Sequence, residues 1–144
     1  MENTIHMNKS AEAFDFKCPT ISERPDLLEQ VIALRELGWP EYIRKGALTI
    51  KHAEAYIRYF GDFLFVLLDR EERAMAYGAT IPLVWDGSVK GLPEGWDAAY
   101  EQAFDDREKG RAPTALCALG AVISPSCKGT NLSYRPPTSG WNTR

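Results

Sequence analysis

The sequence predicts an α+β domain in which helices pack on a central, mostly antiparallel sheet. Three observations carry that reading. Residues 25–38 and 49–61 repeat apolar side chains at helical spacing. The apolar runs 63–68 and 74–83 are separated only by the charged stretch 69–73, which is the spacing of a hairpin. The most apolar segment of the chain, 114–124, runs into Pro125 as a strand covered on both faces would. With 144 residues, 44% of them hydrophobic and 11% aromatic, the chain is long enough for one domain with its own core.

Taken in order, residues 14–21 place Phe14, Phe16 and Cys18 at alternate positions, which suits a half-buried strand ending at the turn-prone Ser22. Pro25 suits the first turn of a helix whose apolar face is Leu27, Val31 and Leu34, flanked by Leu28 and Ile32. Gly38 suits the position just after its end. Thr49 is expected as the N-cap of a second helix with the stripe Ala53, Tyr56, Ile57 and Phe60, and Gly61 follows it. In the strand 74–83, Gly78 marks the expected place of a bulge, because a strand interior gains nothing from a missing side chain. The loop 86–95 holds three glycines and a proline. Trp96, Ala99, Tyr100, Ala103 and Phe104 then form one face of a helix, 96–109, whose other face is acidic and which Gly110 closes.

Bulk charge narrows the function classes. The net charge is −3 and the pI about 5.4, with Lys and Arg scattered. No basic stripe faces a phosphate backbone, so nucleic acid is not an expected partner. The start of the chain is polar, and the longest apolar run, 115–123, falls far short of the ~20 residues that span a bilayer. No membrane partner is expected, and the expected location is cytoplasmic. Cys18, Cys117 and Cys127 are odd in number and widely spaced, which fits reduced thiols better than a disulfide framework or a zinc site, so no metal is expected.

The segment with chemical content is Ala121-Val122-Ile123-Ser124-Pro125-Ser126-Cys127-Lys128-Gly129-Thr130-Asn131-Leu132-Ser133. It reads as a buried strand stopped by proline, then a basic residue, a glycine and an Asn. Backbone N–H groups converge on an anion only where side chains leave room, which Gly129 does, and Asn131 tolerates positive φ. Such a loop is a candidate phosphate cradle, although the same composition also serves ordinary connecting turns.

This segment resembles the signature of the Gcn5-related N-acetyltransferase (GNAT) family, in which an apolar strand ends in Pro-x-x-Arg/Gln-Gly-x-Gly-Leu/Ile-Ser/Ala/Gly. Lys128, Gly129, Leu132 and Ser133 fall on that pattern. Lys128 replaces Arg or Gln, and Asn131 stands at the second glycine. The element order before the loop agrees, with helix 96–109 as an insertion that could cover the acceptor site. The resemblance implies an acyl-CoA N-acyltransferase-like fold over 14–133, preceded by a polar tail, 1–13. Acetyl-CoA or another acyl-CoA would be co-substrate, and a small-molecule or peptide amine the acceptor. It further implies that Ala121, Val122 and Ile123 pair with the pantetheine arm, and that the loop amides of Lys128, Gly129, Thr130, Asn131, Leu132 and Ser133 hold the pyrophosphate.

After the loop the chain runs into Tyr134-Arg135-Pro136-Pro137, and two prolines cost ~3 kcal/mol each inside a helix. The long helix that follows the loop in the family cannot form there, and 134–144 reads as an irregular tail. The expectation is a domain cut short, with weak coenzyme binding and little turnover. It would be poorly stable or depend on another chain, a homo-oligomer or a partner covering the incomplete sheet. The alternatives are a non-catalytic module binding a small molecule or protein, and a decayed fragment.

The remaining reactive side chains are set against plainer roles. The catalytic base and acid are not identifiable. Asp86 and Glu94 are the better base candidates, whereas Glu71, Glu72, Asp105 and Asp106 read as a solvated turn and a solvated helix face. His52 is expected on the exposed side of its helix, and His6 lies in the polar tail. Cys127 beside Lys128 suits a lowered thiol pKa, but no histidine is placed to serve it. Trp85, Trp96 and Tyr100 fit either an acceptor pocket or plain core.

Overall fold

A computed structural model of the chain describes residues 16–45 and 47–127; for 47–51 it describes the backbone alone. It is a mixed α+β arrangement. Three antiparallel strands, β1 (Leu64–Leu68), β2 (Ala74–Leu83) and β3 (Ala115–Ile123), form a sheet in the order β1-β2-β3. Its helices are α1 (Leu28–Gly38), the short α2 (Glu41–Arg44), α3 (Ala47–Phe60) and α4 (Trp96–Glu108).

The hairpin expected from sequence joins β1 to β2. Its turn is held by the Asp69 carboxylate, which accepts the N–H groups of Glu71 and Arg73 at 3.0 and 2.8 Å. Glu72 there takes a φ of 61°. The expected first strand is reduced: its described part, 16–21, makes two isolated antiparallel bridges, Lys17 to Leu68 and Thr20 to Phe65. Pro19 explains the break, because it has no N–H and contributes only its carbonyl, to Val66 at 2.9 Å. Phe14 lies outside the described residues.

One sheet face carries the core. Leu64, Val66 and Leu68 of β1 and Tyr77, Ile81 and Leu83 of β2 meet Leu27, Val31 and Leu34, Tyr56 and Phe60, and Ala99, Tyr100 and Ala103. Alternation along each strand sends every second residue to this face. The other face is apolar and partly open. Pairing sets Pro82 beside Leu116, Thr80 beside Ala118 and Gly78 beside Ala121. Leu116 is 55% exposed, and a Cβ added at Gly78 would meet nothing within 4 Å. Near the end of β3, Cys127 and Ala76 are buried on this face with Phe16, Leu67, Met75 and Ile123 around them.

Several local expectations change. Pro25 opens a short 3-10 turn, Pro25–Leu27, ahead of α1, and Gly38 is the last residue of α1 rather than the one beyond it. The α3 helix starts at Ala47, before Thr49, so Thr49 is not its N-cap. Its buried line is Tyr56 and Phe60, whereas Ala53 is exposed. Gly78 pairs regularly with Phe65 and Ala121; the bulge falls beside it, between Ala79 and Thr80, and the extra residue is Leu119 of β3. Among the described residues no helix is long and apolar enough to cross a membrane.

Candidate functional site

The candidate site lies along β3, which among the described residues has a strand neighbour on one side only. The Ser124 N–H donates to the Met75 carbonyl at 2.7 Å, which makes these two a hydrogen-bonded pair. In an antiparallel ladder such pairs alternate with pairs whose main-chain groups point away. Tyr77–Val122 and Ala79–Gly120 therefore bond across the ladder. Ala121 and Ile123 turn their N–H and C=O groups to the free edge, where the described residues supply no partner. Of the three strand residues singled out from sequence, these two present main-chain groups outward. Val122 instead buries its side chain, so close to Gly38 that a Cβ on that glycine would overlap it.

Two indoles flank the bulge. Trp96, at the start of α4, donates its Nε1–H to the Leu119 carbonyl at 3.1 Å and so satisfies a group that the bulge leaves out of register. Trp39, just after α1, lies over Gly120, whose missing side chain makes the room. Its Nε1–H donates to the Tyr77 hydroxyl at 2.7 Å. Gly120→Val is expected to drive a methyl into the Trp39 ring and break that bond. Overpacking of this kind costs roughly 1–3 kcal/mol, readable by chemical denaturation together with a shift in tryptophan emission.

Around these indoles is an aromatic stack. Tyr100 packs on Trp96 with ring centroids 5.0 Å apart and on Tyr56 at 5.8 Å. Trp96 and Tyr100 are thus brought together at the bulge, while Trp85 is half-buried against the core, its Nε1–H held by the Ser88 carbonyl at 2.8 Å. His52 departs from its expected surface position. Its ring stacks on Phe104 at 4.8 Å and lies 5.6 Å from Tyr100, and its Nε2 is buried without a partner. The cause is a slight rotation of the α3 face, which replaces Ala53 by His52 one turn before Tyr56.

The acidic residues also sort out. Asp106 is buried rather than solvated: its carboxylate accepts the Val84 N–H at 2.8 Å and Arg111 Nε at 2.7 Å. Asp105 pairs with Lys109 and Arg111, whose hydrogen bonds hold its carboxyl below the usual range. Glu71 and Glu72 are exposed in the hairpin turn. Asp86, proposed as a base, is exposed and accepts both the Ser88 hydroxyl, at 2.6 Å, and the Ser88 N–H, at 2.9 Å. Those bonds lower its pKa and weaken it as a base. Glu94 is exposed in the same loop.

Beyond Ile123 the chain turns through Pro125–Cys127 as the proline predicts. Cys127 is buried against Ala76, which takes it out of the exposed setting a reactive thiolate needs. Lys128, Gly129, Thr130, Asn131, Leu132 and Ser133 lie outside the described residues, as does His6. Among the described residues no group of three or more His, Cys, Asp or Glu side chains could hold a metal.

No protein-family model matches the chain, and no curated protein matches its sequence. Fold and geometry define a mixed α+β arrangement in which, among the described residues, a three-stranded antiparallel sheet ends in a bulged edge strand.

Proposed function

We propose that the chain is an N-acyltransferase-like domain of the GNAT type, taking an acetyl or other acyl group from coenzyme A to an amine. The observation that carries this reading is the free edge of β3. Outward N–H and C=O groups on Ala121 and Ile123 offer an extended, amide-bearing chain the bonds that a neighbouring strand would. The pantetheine arm of coenzyme A is such a chain. Residues 128–133, reached through the turn at Pro125, would supply main-chain donors to the pyrophosphate.

In the transfer itself, the neutral amine attacks the thioester carbon and the tetrahedral intermediate expels the thiolate. The proton lost by the amine passes to solvent, and the thiolate takes one up. A non-catalytic ligand-binding module is the second reading. It draws support from Asp86, which its hydrogen bonds to Ser88 make a poor base.

Calorimetric titration of the full chain with acetyl-CoA tests the proposal. Ala121→Pro removes one outward N–H without removing a ladder bond, a position where an edge strand tolerates proline. Loss of one ligand hydrogen bond is worth about 1–1.5 kcal/mol, so affinity should fall roughly tenfold while the fold is retained. Absence of heat with the unaltered chain would sink the reading. Binding without release of free thiol in the presence of amines would favour the non-catalytic one.

A further inference from the structure

The sheet face turned away from the core is apolar, whereas an antiparallel sheet facing water carries polar residues there. The strand residues that point to it are uncharged, and Leu116 and Ala118 of β3 are exposed on it. Among the described residues, α1, α3 and α4 send side chains to the core on the opposite face and none to the cluster around Cys127 and Ala76. An apolar sheet face of this kind is covered by another layer in a stable domain. Its centre has a seat. Phe65, Gly78 and Ala121 form one row across β1, β2 and β3. A Cβ at Gly78 would meet nothing within 4 Å, so between the Phe65 ring and the Ala121 methyl lies bare backbone. A ring laid over a strand glycine restores the missing cover. The molecule already does this on its core face, where Trp39 lies over Gly120.

The chain itself is within reach of that seat. Phe16 and Cys127, at the two ends of the described stretch, pack in one cluster on this face, beside the Ala76–Ile123 pair. Past Cys127 the chain therefore leaves from the rim of the face, two residues along β2 from Gly78. Tyr134 is seven positions further on, up to about 23 Å of extended chain. The way from Cys127 to the row at Gly78 is about 7 Å along the strands and 10 Å across them. Residues 134–144 hold two large rings, Tyr134 and Trp141, and no Asp or Glu. Pro136 and Pro137 bar them from a helix interior or a central strand, so contact through side chains is the route left to them. A second copy fits the face less well. Three strands cover roughly 15 by 30 Å, and two such faces together bury about 900 Å², short of the ~1,200 Å² of a stable interface.

We propose that this face is the docking surface for the chain's own residues 134–144, with an aromatic ring of that segment, Tyr134 or Trp141, seated on Gly78 against Phe65. The segment then takes the place of a covering layer, and the sheet needs no partner chain on this side. Docking buries the rings and the exposed Leu116 and Ala118 together, which is the source of its free energy. It holds whether or not coenzyme A binds along the β3 edge, because edge and face are different surfaces of the strand.

Chymotrypsin, which cuts after Tyr and Trp, tests this on the full chain, with products followed by mass spectrometry. Cleavage after Tyr134 and Trp141 should be at least about tenfold slower than in a synthetic peptide of residues 130–144, because only the undocked fraction is cut. Gly78→Glu puts a carboxylate on the seat and should bring the rate within about twofold of the peptide, with residues 16–127 left uncut. Ala118→Glu, at an exposed position on the same face, should raise the rate in the same direction and guards against a Gly78 variant that fails to fold. Tyr134→Ser combined with Trp141→Ser should raise the emission of an anilinonaphthalene sulfonate dye about threefold. Cleavage of the unaltered chain at the peptide's rate, or a rate that neither glutamate changes, would overturn the inference. So would a dimer in sedimentation velocity that Gly78→Glu dissociates, since a second copy would then own the face.

Discussion

Ile81→Ala is expected to destabilise the chain by about 3–4 kcal/mol, the upper part of the range for truncating a buried aliphatic side chain. Ile81 sits on the central strand, is 0% exposed, and faces the core shared by α1, α3 and α4. The backbone there is paired to Cys117 of β3, and the side chain is covered by the helices packed on that face, so the cavity cannot close by a local backbone shift. For a chain of this size the loss corresponds to roughly 10 °C in melting temperature. Ile32→Ala, removing a side chain that is 48% exposed, should stay within about 0.5 kcal/mol and serves as the control. Urea denaturation with a shared slope for both variants checks the difference; a cost below about 1 kcal/mol for Ile81→Ala would mean that the core is not packed as described.

The second large effect is expected at Asp106. Its carboxylate ties α4 to the end of β2 through Val84 N–H and to the approach of β3 through Arg111. Asp106→Ala leaves the Val84 N–H without an acceptor, and hydrogen bonds to charged groups contribute about 1.5–3 kcal/mol, so a loss of about 2–3 kcal/mol should follow. Asp106→Asn keeps an acceptor for Val84 and should cost clearly less. Because α4 also carries Trp96, the alanine variant should loosen the bond from Trp96 to Leu119 and alter tryptophan emission, a change the asparagine variant should largely spare.

Local pattern made most of this fold legible. Residues 74–83 were expected as a strand and form one over the same span, and 63–68, 96–109 and 114–124 each differ from β1, α4 and β3 by a residue or so at their ends. Apolar period is a short-range property, and it survives folding when one face is buried. What sequence alone missed depends on neighbours distant in the chain. Asp106 sits in the last turn of α4 and looks solvated until Val84, 22 residues away, arrives with an unpaired N–H. His52 looks exposed until α4 brings Phe104 onto it.

The candidate site was legible in part for the same reason. Ala121 and Ile123 were singled out as strand residues next to a proline-stopped loop, but which of them face the free edge follows from the ladder phase set by Ser124 and Met75. Trp39 carried no local signal beyond following a helix, since its significance comes from Gly120 and Tyr77 across the sheet. The small residues Gly38 and Gly120 were the available clue: each makes room for a bulky neighbour, Val122 or Trp39.

The extra residue in β3 has one more consequence. An ordinary strand can slide two places past its neighbour and keep the same faces inward. Here the irregular step between Ala79 and Thr80 is matched by Leu119, and Trp96 grips the carbonyl at that one height. The strand is thereby keyed like a lock with a single notch, so the outward main-chain groups two and four positions further on are held at a constant distance from both indoles, and whatever docks along that margin meets a ruler that does not shift.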